Sequence, residues 1–418
     1  MKKYDKYKPS GIDWLGDIPT HWEMKRCKDI FTESSELSKY GTEDLLSVSE
    51  YYGVAPRKEK IEEDEHLTRA DSLEGYRICK KKDLVINIML AWKTGLGVSQ
   101  YDGIVSPAYA VYHPIDIDSN YYHYLLRTSI YTSEFKRNSR GIIDSRLRLY
   151  TDKFYSIHIP VPPLDEQTAI AKYLGEKTAN IDRRIELIKQ KIEKYKEMRR
   201  SLISQVVTRG LNPNVKLKPS GIDWLGDIPE HWKLRRVKDV YERIGSGSTP
   251  KSTMTELYDD NGYYWVQSGD LNDSYVSDTK TKINDTALER TPALRLYPKD
   301  SLIIALYGAT IGKLGILQID AYTNQACCVM SLPHNVNTRY LFYELSFFKP
   351  TMLSFSTGGG QPNISQQDVR NHIFPLPPLD EQTAIAKYLD EKTSQIDNIV
   401  EKSEKQIEQL KELRKTLI

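Results

Sequence analysis

The sequence predicts an α+β fold in which two similar globular domains are separated by two long antiparallel helices of coiled-coil type. Three observations carry this expectation. The stretch Lys8-Pro-Ser-Gly-Ile-Asp-Trp-Leu-Gly-Asp-Ile-Pro19 recurs letter for letter at Lys218 to Pro229, and Pro162 to Leu174 recurs at Pro377 to Leu389. Each copy of the second block runs into a charged, proline-free stretch with apolar residues at helical spacing. Between the blocks, Glu23 to Val161 and Lys233 to Leu376 are unlike each other and carry short apolar runs broken by Gly, Asn and Pro. The predicted segments are a first domain at 1–162, a helix at 163–210, a second domain at 211–377 and a C-terminal helix at 378–418.

The two blocks repeat at offsets of 210 and 215, so two halves of nearly equal length share a frame around regions that have drifted apart. A chain of 418 residues suits two domains of this size. Faint echoes survive between the unlike regions. Tyr76 to Ile86 resembles Leu294 to Ile304, and Gly95 to Val98 resembles Gly312 to Ile316 with one insertion, which points to a common fold with different surfaces.

The helices follow from periodicity. Apolar residues fall at Leu174, Ile181, Ile185, Ile188, Ile192, Tyr195, Leu202 and Val206, with Arg199 in the slot between Tyr195 and Leu202. From Ile181 the steps alternate four and three, the spacing of a two-helix seam. The second copy gives Leu389, Ile396, Val400, Ser403, Ile407, Leu410, Arg414 and Leu417. Asp165 and Asp380 are the expected N-caps, and Gly210 with Pro213 ends the first helix. A helix from Asp165 to Thr208 would be about 65 Å long and would need a partner for its apolar stripe. The matching stripe is the other copy. An antiparallel pairing needs no long crossing of the chain and brings the last helix back toward the first domain.

In the unlike regions, Asp83–Leu90, Ser301–Tyr307 and Ala326–Met330 read as strands, and Tyr121–Thr132 and Thr338–Phe347 as short helices. The aromatic set is skewed, with 28 tyrosines and 8 phenylalanines. This reflects either hydroxyl-bearing rings at surfaces and interfaces or plain genomic bias. Cys27, Cys79, Cys327 and Cys328 have no metal-clip or disulfide spacing and are expected to be reduced thiols. With no apolar leader and no membrane-length apolar run, a cytoplasmic, soluble protein is expected.

Catalytic motifs are missing. No glycine-rich cofactor loop accompanies an Asn/Asp-Pro-Pro-aromatic site, and the Pro-Pro pairs continue into Leu-Asp. Gly308-Ala-Thr-Ile-Gly312-Lys313 has a glycine spacing one residue short of a P-loop and no Ser or Thr after its lysine. The histidines are scattered, and His21 and His231, beside Trp22 and Trp232 in the repeated block, read as packing residues. A net charge of +2 leaves any basic surface local. One such surface is the arginine cluster Arg137, Arg140, Arg146 and Arg148.

Two variable regions, each approached through Gly-x-Asp-Trp-Leu-Gly-Asp-Ile-Pro-x-His-Trp and left through Pro-Pro-Leu-Asp-Glu-Gln-x-x-Ile-Ala-x-Tyr-Leu plus a long helix, resemble the specificity subunits of type I restriction-modification systems. The resemblance covers essentially the whole chain. It implies that the variable regions are target recognition domains, each reading one half of a split, asymmetric site in double-stranded DNA. It also implies that the helices set the spacer and dock two modification subunits, which carry S-adenosylmethionine, and that restriction subunits join through these. The chain itself would bind no cofactor and no metal and catalyse nothing. The alternative, a coiled-coil scaffold with two end domains for ligands other than DNA, explains the repeat but not the basic and glycine-rich loops.

The resemblance is closer in the second region, through Gly247–Pro250, Tyr264–Asp270, Gly308–Gly312, Thr323–Gln325 and Gly358–Ser365. In the first region the corresponding stretches are Leu46–Glu50, Trp92–Gly95, Val105–Pro107 and Asn138–Arg146, whose wording departs from the family's and implies a different recognition subtype. The implied DNA contacts are Lys93, Thr94, Arg137, Arg140, Arg146 and Arg148 in the first domain. In the second they are Lys251, Gln267, Lys313, Asn324, Gln325, Gln361 and Asn363. Arg199 and Arg414, on the helix seam, are assigned to helix-pair or partner-subunit contacts.

Overall fold

The computed structural model describes residues 4–57, 72–354 and 363–418. The chain divides into two compact units, Met1–Leu187 with Gln406–Ile418, and Ile188–Lys405.

Unit 1 is built on an antiparallel four-stranded sheet in the order Phe31–Glu33, Tyr109–Pro114, Leu84–Asn87, Leu96–Val98. Unit 2 repeats that order with Tyr241–Ser246, Cys327–Pro333, Leu302–Ala305 and Leu314–Leu317, and adds Ser274–Val276 in parallel at the edge. The sequence echoes fall on matching strands, Leu84–Asn87 with Leu302–Ala305 and Leu96–Val98 with Leu314–Leu317. These central strands are buried along their whole length, which is why they read as continuous apolar runs. A second, three-stranded sheet in unit 2 joins Lys282–Ile283, Tyr258–Val266 and Tyr322–Thr323.

Both domains close in the same way. Glu23–Arg26 pairs antiparallel with His158–Val161, and Lys233–Arg236 with Ile373–Leu376, so each variable region begins and ends side by side. The repeated blocks then lock together. Trp22 Nε1 donates to Glu166 Oε2 at 3.1 Å, and His21 Nε2 lies 2.9 Å from the same oxygen. Trp232 and His231 hold Glu381 at the same two distances. The neighbouring glutamine ties in the domain. Gln167 accepts from Asp118 N and donates to Pro162 O, and Gln382 accepts from Asn337 N and donates to Pro377 O. Histidine, tryptophan, glutamate and glutamine recur together because they form one joint.

The long helices run Leu164–Arg209 and Leu379–Leu417. Asp165 and Asp380 are not their N-caps but lie inside the first turn. The carbonyls of Pro163 and Pro378 accept the opening bonds from Gln167 N and Gln382 N at 2.9 Å. Proline suits the cap because the missing N–H is one the helix start would leave unbonded, while the carboxylates sit near the positive end of the helix dipole. Gly210 ends the first helix at φ +75°, donating to Val206 O.

The long helices bury polar residues as well as apolar ones. Thr178, Thr393 and Ser403 are buried, Thr178 against the Tyr124 hydroxyl and Thr393 against that of Tyr343. Each hydroxyl donates to the carbonyl four residues back, at 2.8, 2.7 and 2.7 Å, and so is satisfied within its own helix. Each unit contains an ion pair between the helices. Arg414 Nε lies 3.0 Å from Asp182 in unit 1, and Arg199 Nε lies 3.0 Å from Asp397 in unit 2. The arginines and the aspartates are each 215 positions apart, so each copy's arginine meets the other copy's aspartate. In both units an arginine from the later part of one helix meets an aspartate from the earlier part of the other.

Several expectations need correction. Tyrosine is a core residue here. Tyr112, Tyr122, Tyr131, Tyr297, Tyr340 and Tyr343 are fully buried, with hydroxyls spent on internal acceptors, such as Tyr340 Oη on Pro375 O at 2.6 Å and Tyr131 Oη on His158 O at 3.1 Å. The helix expected over Tyr121–Thr132 is two helices, Ser119–Leu125 and Ser129–Asn138, because Thr128 accepts from Tyr131 N and caps the second. The strand from Asp83 stops at Asn87, whose side chain accepts from Met89 N and turns the chain. Helix Thr338–Ser354 outlasts its expected end at Phe347. All four cysteines are buried free thiols. Among the described residues no helix is long and apolar enough to cross a membrane.

Candidate nucleic-acid interface

In unit 1 the two candidate stretches meet at Trp92. After Asn87 the chain makes a 3-10 turn, Ala91–Lys93, held by Trp92 Nε1 donating to Met89 O at 3.1 Å. The Lys93 and Lys136 ammonium groups lie 4.9 and 4.7 Å from the Trp92 ring centroid, a cation–π arrangement at the end of helix Ser129–Asn138. Lys136 also reaches Asp144 at 2.9 Å, tying the arginine loop to the same anchor.

The four arginines have different employment. Arg137 pairs with Glu134 and Arg140 with Asp152, both at 2.8 Å. Arg148 donates to the carbonyls of Leu147 and Ser145. Arg146 is exposed and has no side-chain partner among the described residues. Lys93 is exposed. Thr94 stands at φ +63° and donates to Glu50 O at 2.7 Å, so its hydroxyl holds the loop.

Behind this surface lies a residue that the sequence did not single out. Arg127 is buried and has no carboxylate partner among the described residues. Its guanidinium donates to the carbonyls of Thr94, Leu96, Glu50 and Tyr51 at 2.5 to 3.0 Å. Burial, then the charge of Arg414, lowers its pKa to about 10. The neighbouring His123 is pushed down to about 3 by burial, then by Arg127 and Arg414, and its Nδ1 accepts from Val98 N at 3.2 Å. The Arg127 clamp joins the Lys93–Thr94 loop to Tyr51. Tyr51 in turn donates to Asp182 at 3.1 Å and stacks its ring 4.4 Å from the Arg414 guanidinium.

In unit 2 the polar residues fall into two groups. The first forms where strands Tyr258–Val266 and Tyr322–Thr323 pair in parallel, Trp265 with Tyr322 and Val266 with Thr323. Gln267 and Asn324 therefore follow their strands in register, and Asn324 N donates to Val266 O. Gln325 is exposed and accepts from Thr249, which brings the Gly247–Pro250 loop and the exposed Lys251 alongside. Gly247 is required there, because a Cβ would stand 1.7 Å from Thr323 O.

The second group surrounds the Gly308–Lys313 turn. This turn joins antiparallel strands Leu302–Ala305 and Leu314–Leu317, so no helix follows its lysine and it cannot cradle phosphate as a P-loop does. Lys313 Nζ reaches Asn272 Oδ1 at 3.4 Å. Asn363 is exposed and bridges to Tyr307 beside the turn. Gln361 lies outside the described residues. Sequence reasoning passed over Lys136 and Arg127, which stand in no repeated or glycine-marked motif, and over Thr249, which lies inside the Gly247–Pro250 stretch without being singled out. Among the described residues no cluster of His, Cys, Asp and Glu could hold a metal ion.

Comparison with known proteins gives one consistent family. Residues 19–197 and 229–409 each match the type I restriction modification DNA specificity domain. The type I restriction enzyme MjaVIII specificity subunit of Methanocaldococcus jannaschii is 28% identical over 309 residues, covering 71% of this chain and 67% of its own. The HsdS subunit from Thermoanaerobacter tengcongensis matches the fold with a TM-score of 0.53 at 17% identity, over 96% of each chain. A chain solved in a study of complex assembly and conformational transition of the type I R-M system matches with a TM-score of 0.70 at 16% identity, over 96% of this chain and 97% of that one. Doubled domains, doubled helices and a doubled family match agree, and the chain belongs to the specificity subunits of type I restriction-modification systems, which are non-catalytic components.

Proposed function

We propose that each unit reads one half of a bipartite, asymmetric site in double-stranded DNA, and that the paired helices set the spacer between the halves. Two modification subunits dock on the repeated frame and bring S-adenosylmethionine, and restriction subunits join through them. The observation that carries this reading is the division of labour within each unit. The repeated residues are committed to closing and holding the domain, whereas the unrepeated ones form loops rich in Lys, Arg, Asn and Gln on one shared sheet order. A constant frame with exchangeable polar loops suits a subunit that presents two addresses to one kind of enzyme. Arg199 and Arg414 serve the helix pair in this reading, and any contact with a docked subunit would come from exposed neighbours.

The test is a gel shift of the chain assembled with its modification subunits on a randomised duplex pool. Selection of a split motif, with affinity falling steeply as salt rises, is expected because cations at the phosphates release counterions. Retention without sequence preference, or insensitive to salt, overturns the reading.

A further inference from the structure

We propose that Ile142 is an apolar base contact of unit 1, carried into a DNA groove at the tip of the loop Ser139–Arg148. The inference rests on the reading that this unit binds DNA and deepens it by naming the contact. Ile142 is 98% exposed, the barest large hydrophobic residue among those described, and Ile143 beside it is 54% exposed. A single exposed isoleucine is ordinary on a loose loop. This loop is built.

Arg140 and Arg148 exchange both backbone hydrogen bonds at 2.9 Å and close its base. Leu147 and Leu149 are buried, and Leu149 N donates to Ile88 O at 2.9 Å, anchoring the returning arm. Gly141, at φ +154°, lies against the carbonyl of Arg146 so closely that a Cβ would stand 2.5 Å from that oxygen. Arg146 N donates to Ile143 O at 2.8 Å, and Lys136 holds Asp144. The tip is pinned from both sides, and its isoleucine is presented to the outside.

The surroundings identify what covers it. Lys136, Arg137, Arg140, Arg146 and Arg148 outnumber Glu134, Asp144 and Asp152, and the Arg146 side chain has no partner among the described residues. A protein partner would favour a wider apolar patch with a neutral rim. A bare aliphatic tip in a cationic collar suits DNA, where phosphates take the guanidinium groups and the apolar surface of the bases takes the side chain, against a thymine methyl or into a pried-open step.

The experiment compares parent, Ile142→Ser, Ile142→Val and Arg146→Ala chains, each assembled with modification subunits, on duplexes bearing the motif found by methylome sequencing. Ile142→Ser is expected to weaken binding roughly 10- to 100-fold with no change in salt slope, since an isoleucine displaces no counterion, and Ile142→Val should restore most of the loss. Arg146→Ala should flatten the slope by about 0.9. The loss should track one position of the first half-site. Replacing thymine by uracil there identifies the methyl contact, and brightening of 2-aminopurine on binding identifies the opened step; either result supports the proposal.

Unchanged affinity and discrimination for Ile142→Ser, with the Arg146 effect intact, overturns the isoleucine contact alone. Lost capture of modification subunits by Ile142→Ser, with DNA affinity per assembled complex unchanged, overturns it in favour of a protein interface. If the parent itself shows no sequence-selective binding, the underlying reading fails instead.

Discussion

Arg414 and Arg199 are one residue of the repeat in two environments, and their difference can be measured. Both sit 3.0 Å from the aspartate of the other copy. The Arg414 side chain is 10% exposed and Asp182 25%, whereas Arg199 is 32% and Asp397 57% exposed. Arg414 also lies over the Tyr51 ring. An exposed pair is screened and is worth at most about 1 kcal/mol. Removing one partner of a buried pair strands a desolvated charge and costs about 3 kcal/mol or more, with about 1 kcal/mol added by the aromatic contact. Tyr51 Oη still donates to Asp182 when Arg414 is lost, which moderates the penalty.

Arg414→Ala is therefore predicted to cost about 3 kcal/mol in unit 1, and Arg199→Ala less than about 1 kcal/mol in unit 2. Two double-mutant cycles, with Asp182→Ala and Asp397→Ala, should give coupling energies of about 2 and about 0.5 kcal/mol. Because two units need not unfold together, the readout is native-state hydrogen exchange of helix amides near each pair rather than one melting curve. In 1 M salt the Arg199 coupling should vanish while the Arg414 coupling persists. Equal couplings, or a larger one at Arg199, would refute the argument that burial decides the strength of these pairs.

Two further predictions test the frame and the loops. Hydrogen bonds from Tyr4, His21 and Trp22 outweigh burial and hold the Glu166 carboxylate below its ordinary 4.5. A depressed folded value contributes stability above 4.5 that is lost as pH falls through it, so unit 1 should weaken in that acidic window, and Glu166→Gln should remove that part of the pH dependence, as read by tryptophan fluorescence. Gly247→Ala should destabilise unit 2 by about 1–3 kcal/mol, since Thr323 O occupies the space for a Cβ; exchange rates in strand Tyr322–Thr323 should rise while those of unit 1 stay unchanged.

The frame was legible because duplication acts as its own control. The repeated blocks marked the residues that join domain to helix, and the alternating steps from Ile181 marked the helix seam. What escaped was polar chemistry hidden in folded context. Thr178, Thr393 and Ser403 are buried yet do not stand out in an apolar pattern, because a hydroxyl bonded to its own helix leaves no mark in the letters. Asp165 looked like a cap because carboxylates favour the helix start, and they do so equally in the first turn. The clamp of His21 and Trp22 on Glu166 did leave a signal, since two separate blocks were repeated together, as residues that meet would be. Arg127 and Lys136 left none. They lie in regions without a second copy, and their roles depend on carbonyls and a ring that only the fold brings near.

The central claim is that the unrepeated regions are separate addresses on a shared frame, and an exchange tests it most directly. Replacing Glu23 to Val161 by the corresponding region of another specificity subunit, then sequencing the methylome of a host expressing the complex, should change one half of a split motif while the other half and the spacer stay the same. A change in both halves, or a motif that is not split, would contradict the account.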